Sequence, residues 1–84
     1  MTVVEKLKEQ YPEETLLLAT GFDEAVIGVE EITMRLIYSN RKCVEILMQR
    51  DGMEEEEAIE YFYYNTVSAY VGDKTPIWCE DVYL

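Results

Sequence analysis

The chemistry available to this 84-residue chain resides in eighteen carboxylates, seven tyrosine phenols and two thiols; there is no histidine. Without imidazole there is no Ser–His or Cys–His nucleophile pair and no side-chain base that ordinarily titrates near neutral pH. Carboxylate pairs suited to general acid–base work are abundant, yet nothing in the sequence marks one of them as buried. "VGDKT" (71–75) lacks the G-x-x-x-x-G-K-[ST] spacing of a phosphate loop. "DGMEEEE" (51–57) shares acidity with a calcium loop but not its D-x-D-x-D-G pattern. Cys43 falls on a helical apolar face, where a thiol acts as a small hydrophobe. Cys43 and Cys79 are too sparse for a disulfide framework or a metal site, and both are expected to be reduced. The reading is of a protein without catalytic residues, metal or cofactor.

What remains is contact chemistry. Eighteen acidic against seven basic residues give a net charge of −11. Such a surface repels nucleic-acid phosphate and anionic lipid, so direct nucleic-acid or membrane binding is not expected. The same field steers the chain toward Lys/Arg-rich protein surfaces, including grooves that hold nucleic acid; the alternative is that acidity serves solubility alone. In "DGMEEEEAIEYFYYN" (51–65), Glu54 to Glu57 occupy a first helical turn, where the partial positive charge of the helix end favours each acid by about 0.3–1 kcal/mol. At 100° per residue, Ala58, Ile59, Phe62, Thr66 and Ala69 share one face. Glu56, Glu57, Glu60, Tyr64 and Val67 lie opposite. Tyrosine rimmed by charge is interface composition, so these five residues are the candidate partner-binding face, with Tyr64 as anchor and the glutamates meeting Lys or Arg. Asn65 projects to the edge of the apolar stripe, where its amide needs partners; a backbone group near the helix end is the expected one.

The elements that must carry this face are short. "TVVEKLKEQYP" (2–12) reads as a helix capped by Thr2, with Glu5 completing a capping box, Val4, Leu7 and Tyr11 on one side and Pro12 as the stop. "TLLLAT" (15–20) reads as a buried strand. Residues 25–29 and 34–39 suit an antiparallel hairpin linked by "EEIT", with Met34, Leu36 and Tyr38 alternating with Arg35 and Ile37. In "SNRKCVEILMQRDG" (39–52), Ser39 or Asn40 caps a helix that Gly52 ends in the left-handed conformation. Its apolar arc spans about 200°, so it should be covered on more than one side and centre the core. A further helix starts near Glu54 and runs to about Ser68, and "TPIW" (75–78) forms a last short strand, Pro76 being tolerated at a strand start or edge. The start "MTVVEKLKEQ", with alternating charges and no long apolar core, is not expected to act as a signal peptide, and no apolar run approaches the roughly 20 residues that span a bilayer.

The blocks "LMQRDGM", "EEAIEYF" and "AYVG-KTPIW", within residues 36 to 78, carry a resemblance. The chain resembles a group of small proteins encoded by phages, prophages and scattered bacteria, with a pattern like I-Y-D-x-x-K-C-I-E-x-L-M-x-R-D-G-M-S-x-E-E-A-x-E-[YF]-x-x-[FY]-N followed by A-Y-V-G-E-x-T-P-I-F. "GFDEAVIGV" (21–29) also looks like its upstream part. Ser39 stands where the group often has Asp and keeps a capping role; Glu54 stands where it often has Ser and caps less well. The resemblance brings no reaction and no catalytic residue. It implies a phage or mobile-element setting, where small acidic proteins bind and block host nucleases and other defence enzymes.

Together these readings predict one α+β domain over 1–84: a small antiparallel sheet of three to four strands against a helical hairpin, with a short N-terminal helix. The expected function is non-enzymatic counter-defence of the anti-CRISPR kind, in the host cytoplasm, by binding a basic nucleic-acid-handling protein. The alternative is an oligomeric structural module or one that holds a small ligand, suggested by the wide apolar arc of 40–50. A helix-turn-helix reading of the two helices at "RDGM" is disfavoured because phosphates would repel Glu56, Glu57 and Glu60.

Overall fold

The computed structural model describes residues 2–69 and 71–81. Helix α1 spans Val3–Gln10, with Thr2 at its N-cap accepting from the Glu5 N–H at 3.2 Å. Its inward residues Val4 and Leu7 are buried, and Tyr11 packs beside them. A 3-10 turn, Asp23–Ala25, leads into β1 (Val26–Glu30), which pairs antiparallel with β2 (Arg35–Ser39). The four-residue loop 31–34 is tied by the Glu30 carboxylate, which accepts from the N–H groups of Ile32 (2.5 Å) and Thr33 (3.2 Å) and from the Thr33 hydroxyl (2.9 Å). These donors, the Ile32 N–H first, hold the Glu30 pKa below its ordinary value. The expected alternation holds: Met34, Leu36 and Tyr38 are buried, whereas Arg35 and Ile37 are half-buried.

Helix α2 (Asn40–Asp51) follows β2 directly. Ser39 is the cap, accepting from the Lys42 N–H at 3.1 Å, and Gly52 ends the helix at φ 69°, a left-handed conformation that a Cβ disfavours. Cys43 and Leu47 are fully buried, with β2, the 3-10 turn and α3 (Glu55–Phe62) packed around them. A π-helical turn, Tyr63–Val67, extends α3, and β3 (Ile77–Cys79) joins β2 after a turn at 72–75. In that turn the Val71 N–H and Gly72 carbonyl both meet the Thr75 hydroxyl, at 3.0 and 2.6 Å. The fold is α+β, as expected.

Two details depart from the expectation. The sheet, ordered β1-β2-β3, is mixed: β3 runs parallel to β2, not antiparallel. Two helices lie between those strands, and a connection of that kind is what parallel pairing requires. The run 15–20 forms no strand. Leu16, Leu18 and Ala19 pack against the core, and the Ala19 N–H donates to the Tyr38 hydroxyl at 2.7 Å instead of to a sheet ladder. Apolar composition drove this segment inside, and burial needs no strand partner once its polar groups are met.

Tyr38 is therefore a hinge of the packing. Its ring is fully buried and lies 5.0 Å from the Trp78 ring across the parallel pair. Burial raises its pKa despite the Ala19 hydrogen bond, so the phenol stays neutral. Tyr38→Phe should cost about 1–3 kcal/mol, the usual penalty for leaving a buried donor unmet. Urea unfolding checks this, with an unchanged midpoint as the contrary result.

Candidate functional site

The candidate face is built on α3 and the π-helical turn. Glu54 sits at the N-cap without a side-chain capping bond, and Glu55, Glu56 and Glu57 fill the first turn. The helix is anchored from below by Ala58 and Phe62, both fully buried, with the Phe62 ring edge-on to Trp78 at 5.5 Å. After Phe62 the backbone widens to the π form, which inserts an extra residue into the turn. The buried face then runs Ala58, Phe62, Val67, in steps of four and five, rather than following the α-helical period.

That shift decides which predicted residues meet. Glu56, Glu57, Glu60 and Tyr64 are exposed, Tyr64 at 82%. Glu57, Glu60 and Tyr64 line one shallow hollow with Tyr61 and Asn65. Val67 does not belong to the outward face: it is half-buried against the core, because the π turn rotates it inward. Conversely Ile59 and Ala69, expected on the buried stripe, are exposed. Sequence reasoning missed Tyr61, exposed in the hollow with Tyr64, and Ile59 and Tyr63, exposed together on the side that faces α2. A four-residue tract "YFYY" was the signal available, but an even α-helical projection distributes it wrongly. Asn65 meets the expected kind of partner, its Nδ2 donating to the Tyr61 carbonyl at 3.2 Å, and Ser68 does the same for the Tyr64 carbonyl at 2.5 Å.

The face is strongly one-signed. From Gly52 through Asp73 the chain has no Lys or Arg. Among the described residues, the ion pairs join Arg41 to Glu45, Arg50 to Asp51 and Lys74 to Glu14, and none reaches α3. The carboxylates of Glu54 to Glu57 and of Glu60 likewise receive no hydrogen bond from described residues. Unpaired carboxylates around exposed aromatic rings can desolvate rings against a partner while meeting its cations at the rim.

Other chemistry is weak. Burial pushes the Cys43 thiol up to about 12, with the Asp81 charge adding to the effect, so it is no nucleophile at neutral pH. Among the described residues no group of three His, Cys, Asp or Glu side chains could hold a metal ion. A second concavity of about 370 Å³ lies between residues 17–22, the end of α2, the π turn and β3. Leu18, Phe22, Tyr61 and Trp78 supply apolar walls, and Arg50 stands at its edge, with one guanidinium nitrogen donating to the Gly21 carbonyl at 2.8 Å. The Trp78 Nε1–H is buried without an acceptor among the described residues. No helix among the described residues is long and apolar enough to cross a membrane.

Comparison with protein-family models, with curated proteins and with solved structures finds no match to this chain.

Proposed function

We propose that this protein is a non-enzymatic binding module that uses the exposed face of α3 to occupy a basic surface of another protein. The observation that carries this reading is a set of exposed glutamates, Glu56, Glu57 and Glu60, that have no partner among the described residues, two of which, Glu57 and Glu60, line one hollow with Tyr64 and Tyr61. Tyrosine supplies contact area with little rotamer entropy to lose, and the net charge of −11 steers the encounter. The partner class is a Lys/Arg-rich, nucleic-acid-handling host protein. With the resemblance to small phage proteins, the biological role proposed is counter-defence of the anti-CRISPR kind, blocking a nuclease or other effector.

Affinity capture from host lysate followed by mass spectrometry tests it. Basic nucleic-acid-handling proteins should be retained at low salt and largely released near ~0.5 M salt, where screening shortens the reach of surface charge to a few ångströms. Tyr64→Ala combined with Glu57→Gln and Glu60→Gln should lower retention at least about thirtyfold, as loss of an interface anchor does. Equal retention by that variant removes the face from the function.

A second reading, a module that holds a small ligand, is favoured by one observation: Trp78 lines the 370 Å³ cavity and its buried Nε1–H has no acceptor among the described residues. Trp78 is the single tryptophan, so its emission reports directly on occupancy. A melting temperature and emission spectrum unmoved by nucleotides and metabolites would dismiss this alternative.

A further inference from the structure

We infer that the furrow between α2 and α3 receives a basic amphipathic helix, a refinement that rests on the protein-binding reading above. Its walls are two ridges at helical spacing: Val44 and Met48 on α2, and Ile59 on α3 with Tyr63 at the start of the π turn. Two such ridges leave a groove that accepts the side-chain ridge of a third helix. The apolar walls are side chains carried on helices, and a helix entering between them satisfies its own backbone and needs only side-chain contacts from the furrow.

Charge selects the occupant. Glu45, Glu55 and Glu80 stand at the rim, against the single cation Arg41. Arg41 reaches Glu45 only at 3.9 Å with both side chains about half-exposed, a pair of little strength. Glu80 accepts from the Tyr63 hydroxyl at 3.2 Å, a neutral donor that leaves its charge in place. Glu55 has no partner among the described residues.

Asn40 adds an observation independent of the acidic rim. It lines the furrow at the start of α2, is only 7% exposed, and its Oδ1 has no donor among the described residues. A buried amide oxygen without a donor is rare because its lost hydration is uncompensated. A turn of the Asn40 side chain toward the furrow it lines would bring this oxygen to a Lys or Arg head group on the arriving helix.

The probe is a fluorescently labelled Leu/Lys amphipathic helical peptide of about five turns, with a scrambled peptide of equal composition as control. Anisotropy titration at about 0.15 M salt should show the periodic peptide binding at least about tenfold more tightly than the scrambled one, since only the former presents a continuous apolar stripe. Ile59→Ser, on an exposed position, should weaken the periodic peptide about tenfold, and Glu55→Gln or Glu80→Gln about two- to fivefold each. Ile32→Ser, at an exposed position of the 31–34 loop that does not line the furrow, should leave it unchanged. Amide shift changes in nitrogen-15 spectra should fall along α2 and the adjoining side of α3. Equal binding of the scrambled peptide, indifference to Ile59→Ser, or shifts confined to Glu56, Glu60 and Tyr64 would overturn the furrow assignment while leaving the outer face as the binding surface. A furrow that binds peptide in a protein that captures no basic host protein would instead sink the proposed function.

Discussion

Phe62→Ala should remove a large part of the folding free energy of this domain. Phe62 is fully buried and closes the interior between α3, Tyr63 and Trp78, with ring centroids 5.3 and 5.5 Å away. Truncating a buried Phe removes its transfer free energy and leaves a cavity, at a cost of about 3–5 kcal/mol. A domain of this length has a net stability of about 4–12 kcal/mol, so one side chain accounts for a large part of it. The site follows the core: Phe62 anchors α3 immediately before the turn that presents Tyr64. Far-UV circular dichroism against urea should show a midpoint far below the wild-type one, and Trp78 emission should shift to the red as its cover is lost. A wild-type midpoint would mean that Phe62 does not hold α3 down.

Asp81→Ala is expected to have the next largest effect, through the start of α2. Asp81 is 5% exposed, accepts from the fully buried Ser39 hydroxyl, and reaches the Arg41 backbone N–H at 3.4 Å. It thereby ties the chain after β3 to the helix that centres the core. Alanine would strand the Ser39 hydroxyl and remove a negative charge from the helix N-terminus, for about 1–3 kcal/mol. Burial acts to raise the Asp81 pKa, but the Ser39 hydroxyl, the Arg41 N–H and the Arg41 charge outweigh it and hold it below the ordinary carboxylate value. A carboxyl depressed in the folded state contributes stability above its unfolded pKa, near 3.9, and that contribution fades as pH falls through the lower folded value. Wild-type stability should therefore drop on the acid side of about pH 4. Asp81→Asn keeps an acceptor for Ser39 but cannot titrate, so it should show a shallower acid-side loss in thermal melts. Identical pH profiles for the two proteins would show that Asp81 does not carry this linkage.

Local interactions were legible in the residues. Thr2, Ser39 and Gly52 lie where capping chemistry places them, because a cap depends on backbone geometry within a few positions. The alternation of Met34, Leu36 and Tyr38 and the α2 core residues Cys43 and Leu47 likewise followed from periodicity alone. The outward placement of Glu56, Glu57, Glu60 and Tyr64 also survived, since each lies within or just beyond the regular part of α3.

Long-range competition decided the rest. Whether residues 15–20 would pair as a strand depended on the Tyr38 hydroxyl, nineteen residues away from Ala19, taking its N–H. The direction of β3 depended on how two helices carried the chain back to β2. The inward turn of Val67 depended on a π turn whose position no helical projection contains. Nothing in the sequence singles Asp81 out among eighteen acids; Ser39, forty-two positions earlier, meets it in the interior. In each case the deciding partner is remote in the chain, so hydrogen-bond satisfaction and packing, which act through space, settle what local propensity leaves open.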